Sequence, residues 1–266
     1  MVKRLIVREA GSSMFKHYAI SIFVFTVLVL NIPAAAGPTT TGHKKECVIL
    51  LHGMARTTSS MHDLETYLSG KGYKTVNWAY PSTSESIERI AAVYLPRAIA
   101  QCKDGPVNKI HFVTHSLGGI IVRQYLQTNS LPEGSRLVML APPNQGTEVV
   151  DHLKDFFVYQ WIHGPSGQEL GTEPASTPNR LQPINIEVGI IAGDMTLNPI
   201  LSSLIPGPDD GKVSVERAKL REMTDFLVVP STHTFIMRNP SVMAHVDHFL
   251  VHGKFDHSQE QLECQH

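Results

Sequence analysis

Ser116 stands in the run Thr114-His115-Ser116-Leu117-Gly118-Gly119, directly after the apolar stretch Ile110-His111-Phe112-Val113 and directly before an apolar stretch from Ile120 to Leu126. A serine at a sharp strand-to-helix turn is the setting in which G-x-S-x-G marks a nucleophile. Thr114 replaces the first glycine, but Gly118 and Gly119 supply the small residues such a turn needs on its helix side. The turn exposes the hydroxyl, and the positive end of the following helix favours a developing oxyanion. An ordinary serine N-cap would require neither the histidine before it nor the Leu-Gly-Gly after it. The chemistry indicated is acyl transfer through serine. A serine hydroxyl also needs a base to take its proton and a group to orient that base.

The elements that must carry these groups are legible as apolar runs. Short strands are expected over Cys47–Leu51, Lys74–Trp78, Ile110–Thr114, Arg136–Ala141, Ile186–Ala192 and Phe226–Val229. Helical patterns lie between them, over Ser59–Leu68, Ser86–Cys102 (interrupted at Pro96), Ile120–Leu126 and Val242–Val251. Strands alternating with helices imply an α/β fold with a mostly parallel sheet covered on both faces. The stretch 151–183 breaks the rhythm with Phe156, Phe157, Tyr159, Trp161 and many Gly, Pro and Thr. It reads as a cap-like insertion over the sheet, serving either as a lid over an acyl groove or as core padding.

Five stretches carry a resemblance: Leu50-Leu51-His52-Gly53-Met54, the Ser116 turn, Pro142-Pro143-Asn144-Gln145-Gly146-Thr147, Asp209-Asp210-Gly211-Lys212-Val213 and Pro230-Ser231-Thr232-His233-Thr234-Phe235. From Cys47 to Leu250 the chain resembles the α/β-hydrolase superfamily, in its lipase and esterase branch. The resemblance implies the order serine, acid, histidine. His233, on the loop after the last strand, is then the base. Asp194, Asp209, Asp210 and Asp225 all lie in the interval for the acid, and the D-G-x-V stretch points to Asp210. Asp194 is the chief alternative and Asp209 the next. The oxyanion donors implied are the N–H groups of Leu117 and Met54, with His52, Gly53, His115 and Gly118 shaping the two loops. Such a triad hydrolyses carboxylic esters through an acyl-enzyme. The same triad also serves acyltransferases and thioesterases, whereas a non-catalytic envelope binding protein of this fold usually lacks the serine or histidine. An acyl-ester or lipid substrate is implied; membrane-surface contact and oligomeric state stay open.

No cofactor or metal is expected. His245, His248 and His252 share one face of the closing helix, but no carboxylate-rich stretch completes a metal site, and histidines suit the last turns of a helix. No G-x-G-x-x-G follows a strand. The 266 residues carry 42% hydrophobic and 18% charged side chains at a net charge of −1, which excludes a disordered chain and argues against a nucleic-acid binder.

The N-terminus reads as an export signal. Lys3, Arg4, Arg8 and Lys16 precede an apolar run from Tyr18 to Ile32, and Ala34 and Ala36 offer a small-residue cleavage site. A start at Met14 would make a more compact signal. Cleavage after Ala36 leaves a single domain over 37–266 and a periplasmic or secreted protein; an uncleaved membrane anchor is the alternative. Removing four basic residues and Glu9 turns the net charge of −1 into −4. Cys47 and Cys102, expected at the same end of a parallel sheet, either pair as a disulfide in an oxidising compartment or sit as two small buried residues. Cys264 lies in a polar tail.

Overall fold

The computed structural model describes residues 45–258, apart from the side chains of 158–161. The leader over 1–36, the alternative start at Met14, Cys264 and the side chains of Tyr159 and Trp161 lie outside the described residues. Six strands form one sheet: β1 (Glu46–Leu51), β2 (Lys74–Trp78), β3 (Lys109–His115), β4 (Arg136–Leu140), β5 (Glu187–Gly193) and β6 (Asp225–Val229). Their order is β2-β1-β3-β4-β5-β6, and every pairing is parallel.

The near-continuous apolar runs follow from burial on both faces. One core contains Ile49, Leu51, Phe112 and Met139 and is covered by α2 (Ile87–Val93), α3 (Leu95–Lys103) and α4 (Leu117–Tyr125). The other contains Val48, Leu50, Val113 and Leu140 and is covered by α1 (His62–Gly70) and α10 (Pro240–His252). Alternate residues of one strand thus feed opposite cores, as the pleat requires.

The chain leaves β1 toward one edge of the sheet and leaves β3 toward the other. The loops after these neighbouring strands diverge, opening a crevice at the carboxyl ends of the strands, where open α/β sheets place their ligands. Between β4 and β5 run α5 (Glu148–Leu153), α6 (Phe157–Gln168) and α7 (Thr177–Arg180), which occupy most of the stretch 151–183 and begin just before it. Short helices α8 (Pro199–Ser202) and α9 (Val215–Ala218) lie between β5 and β6. Most element boundaries differ from the sequence expectation by one to three residues, and one expected helix is split. The helix expected over Ser86–Cys102 is two, because Pro96 cannot donate to a preceding turn and instead opens α3 at its second position. The helix after Ser116 begins at Leu117, three residues earlier than its apolar pattern.

Cys47 on β1 and Cys102 at the end of α3 form a disulfide, with Cα atoms 5.7 Å apart and a sequence separation of 55. Both are fully buried. Closing a loop of that length in the unfolded chain is worth about 4 kcal/mol. The Cys47→Ala/Cys102→Ala double variant is expected to lose roughly 3–4 kcal/mol in urea unfolding. A loss below about 1 kcal/mol would show that the bridge is not formed in solution.

Candidate active site

Ser116 lies between β3 and α4 with φ 52° and ψ −120°, a conformation L-residues rarely adopt. Its N–H donates to Leu140 O at 2.9 Å, which ties the turn to β4. Gly118 faces β1 so closely that a Cβ there would sit 2.9 Å from both the Cβ and the carbonyl oxygen of Leu51. A side chain at 118 would therefore push the turn off the sheet.

His233 reaches the serine from the loop after β6. Its Nε2 is 3.1 Å from Ser116 Oγ, and its Nδ1 is 2.8 Å from Asp210 Oδ2. The His233 N–H also donates to the Asp210 carbonyl at 2.9 Å. Asp210 Oδ1 accepts the Lys212 and Val213 N–H groups at 3.0 and 2.8 Å. With Oδ1 occupied, Oδ2 is left for His233, so Nδ1 carries the proton and Nε2 is the acceptor for the serine hydroxyl. Asp210, His233 and Ser116 are 3%, 4% and 9% exposed, and the relay is largely dry.

The alternative acids are elsewhere. Asp194 is exposed, and its backbone N–H bonds Val229 O. Asp209 is buried beside Asp210, but its carboxylate accepts from Ser202 Oγ and from the Gly211 N–H. Asp225 accepts from the Phe255 N–H and faces His257.

Leu117 opens α4, so its N–H has no intrahelical acceptor. Met54 lies on the loop after β1 and lines the same cavity as Ser116. His52 stacks on Tyr80, with ring centroids 4.2 Å apart, and Tyr80 Oη donates to the His52 carbonyl. A Cβ on Gly53 would lie 2.7 Å from His115 Nδ1, so glycine is what lets this loop approach the serine turn.

His115 Nε2–H donates to the His233 carbonyl at 2.9 Å, which braces the loop carrying His233. Burial, then the charges of His233 and Lys212, hold His115 well below the ordinary histidine value of 6.5. Burial likewise lowers His52 and His111. These folded-state values lie below the unfolded value of 6.5, so the unfolded chain takes up protons that the folded chain refuses. Folding stability is therefore expected to be full above about pH 6.5 and to fall as pH drops below it, read as denaturant midpoints between about pH 7 and pH 5. A midpoint unchanged across that range would contradict this burial.

A cavity of about 330 Å³ opens over Ser116 and His233. Its apolar wall comes from Pro143, Val149, Val150, Leu153, Leu170, Leu201 and Val213, and Arg56 and Lys212 also line it. The stretch between β4 and β5 thus supplies Val149, Val150, Leu153, His163 and Leu170 to the lining of this cavity. It is tied down by Ser166 Oγ, which donates to Ser82 O at 2.6 Å, and by Glu169, which accepts the Ile87 N–H at the start of α2. Phe156, Phe157 and Ile162 of the insertion are exposed, as are Leu197 and Ile200 on the β5–β6 connection that contributes Leu201.

Gly193, at the end of β5, carried no signal in the sequence. A Cβ there would lie 2.2 Å from Ser231 O and 3.1 Å from Asp210 Cβ, between the loops that carry His233 and Asp210. Gly193→Ala is expected to cut turnover about 100-fold by displacing His233 from Ser116. Turnover within about two-fold of wild type would show that the loops absorb the methyl without moving the relay.

The histidines of α10 are dispersed in role. His245 packs edge-on against Phe255, and His248 Nδ1–H donates to Lys254 O at 2.8 Å, 4.3 Å between centroids from the His252 ring. Among the described residues no group of three or more His, Cys, Asp or Glu is placed to hold a metal.

No family profile matches the chain, and no curated protein matches it in sequence. Solved structures do. A lipase of Bacillus licheniformis, BlEst2 in mature form, superposes with a TM-score of 0.61 at 18% identity over 78% of this chain and 92% of that one. Phospholipase PlaB from Legionella pneumophila, in complex with thio-NAD, gives 0.57 at 16% over 75% and 57%. The metagenomic carboxyl esterase MGS0156 gives 0.55 at 17% over 73% and 65%. The chain has the α/β-hydrolase fold, of the kind seen in lipases and esterases.

Proposed function

We propose that this α/β-hydrolase-fold chain is a serine hydrolase that cleaves carboxylic esters through an acyl-enzyme. The observation that carries the reading is the unbroken relay from Ser116 Oγ through His233 to Asp210 at the floor of an apolar-walled cavity. His233 Nε2 takes the Ser116 proton as Oγ attacks the acyl carbonyl, while Asp210 stabilises the imidazolium through Nδ1–H. The N–H groups of Leu117 and Met54 receive the oxyanion, each contributing about 3 kcal/mol to the barrier reduction. His233 then gives its proton to the leaving alcohol. Water, activated by the same nitrogen, releases the acid and regenerates Ser116.

The apolar wall and the exposed Phe156, Phe157, Leu197 and Ile200 support an acyl-ester or lipid substrate entering beside the insertion, with the membrane surface as one source of it. Export is supported by the charged-then-apolar leader and by the Cys47–Cys102 pair, which persists in oxidising compartments. The test is a series of p-nitrophenyl esters from acetate to dodecanoate, soluble and emulsified, with an added alcohol to detect acyl transfer. Turnover with most of the acyl group passing to water supports hydrolysis. Passage mainly to the alcohol would make the chain an acyltransferase, and no turnover of any ester or thioester would contradict the proposal.

A further inference from the structure

Arg56 and Lys212 line the cavity that holds Ser116 and His233, and no aspartate or glutamate lines it. Among the described residues neither cation has an ion-pair partner, although the chain without its leader is mildly acidic. The carboxylate whose charge reaches Lys212 is Asp210, already engaged by His233 and two N–H groups.

Both cations ride on the loops that build the site. Arg56 follows Met54 by two residues, in a turn closed by its own N–H donating to Gly53 O, with Ala55 at φ 53°. Lys212 follows Asp210 by two; its N–H donates to Asp210 Oδ1, and its carbonyl accepts from Thr147 Oγ1 at 2.5 Å. The two side chains are therefore placed by the same backbone that places the oxyanion donor and the acid. Lys212 keeps part of its surface exposed yet is crowded by protein, and its ammonium is lowered by burial and by the charge of Arg56. Two like charges lining one cavity repel each other, and a bound anion would relieve both.

We propose that the site takes esters bearing an anionic group near the scissile bond, with a phosphate held between Arg56 and Lys212. This rests on the ester-hydrolase reading and names its substrate class. A guanidinium fork and a mobile ammonium match phosphate oxygens. The acyl chain then lies against Val149, Val150 and Leu153, and the phosphate lies on the alcohol side. Hydrolysis of such an ester consumes one water and releases the fatty acid and the phosphorylated alcohol.

The experiment compares release of butyrate from 1-butyrylglycerol and from 1-butyrylglycerol 3-phosphate. A parallel arm compares phosphatidate with phosphatidylcholine in vesicles, which separates a soluble phosphate ester from a lipid headgroup as the source. The wild type is expected to favour the phosphate ester in kcat/KM by about ten-fold at low salt, with the preference shrinking near 0.5 M salt. Arg56→Gln and Lys212→Gln are each expected to reduce the anionic-to-neutral ratio about three-fold or more, and the double variant to bring it near unity. A ratio near unity in the wild type in both arms, or an unmoved ratio in the double variant, would overturn the inference. Turnover of neutral 1-butyrylglycerol in those cases would leave the ester-hydrolase reading standing. Absence of turnover on every ester would remove that reading and this inference with it.

Discussion

Ser116→Ala is expected to lower kcat on p-nitrophenyl esters by about 10⁴-fold or more, with a melting temperature within a few degrees of wild type. The two parts of this result have separate physical sources. The backbone at 116 is held at φ 52° by its N–H bond to Leu140 and by the contact of Gly118 with Leu51. Alanine bears that conformation at the same cost as serine, so the fold does not register the change. What is lost is Oγ, the atom His233 Nε2 faces at 3.1 Å. Turnover close to wild type with an intact melting curve would mean that another group is the nucleophile.

Asp210→Asn is expected to lower kcat about 10⁴-fold, while Asp194→Asn stays within about two-fold. The environment of Asp210 dictates how an amide would sit. Oδ1 accepts two backbone N–H groups, so the amide oxygen of asparagine must take that place. Its NH₂ then faces His233 Nδ1, which can only accept. The ring proton moves to Nε2, and the imidazole can no longer take a proton from Ser116. The shape is preserved and the tautomer is reversed. Asp194 is exposed, with its backbone rather than its carboxylate bonded to β6. The opposite pattern, activity lost with Asp194→Asn and kept with Asp210→Asn, would reassign the acid.

The strands were legible because a parallel sheet buried on both faces demands continuous apolar runs. Val48 and Ile49 are adjacent in sequence and feed different cores. The serine turn was legible because its geometry tolerates few side chains. His233 and Asp210 needed the resemblance: 14 histidines and several loop aspartates look alike until the fold decides which loops converge. The convergence itself is non-local. Gly193 reads as one more glycine at a strand end, since the carbonyl of Ser231 that forbids its Cβ comes from 38 residues away in the chain. Arg56 and Lys212 read as ordinary loop charges, because their lack of counter-ions among the described residues is a property of the cavity. The insertion hid its helices for a local reason. Gly164, at φ 59°, kinks α6 where a Cβ would strike Thr83, and Pro165 follows it, so no single helical period runs through. The bracing of His233 by His115 was equally invisible, since the acceptor is a backbone carbonyl 118 residues away.

Intact-mass and peptide mapping after reaction with a fluorophosphonate probe tests the central claim most directly. One adduct per chain is expected, on the peptide carrying Ser116, formed in step with loss of esterase activity and absent in Ser116→Ala. An adduct on another residue, or ester turnover that persists undiminished in a chain fully labelled at Ser116, would contradict it.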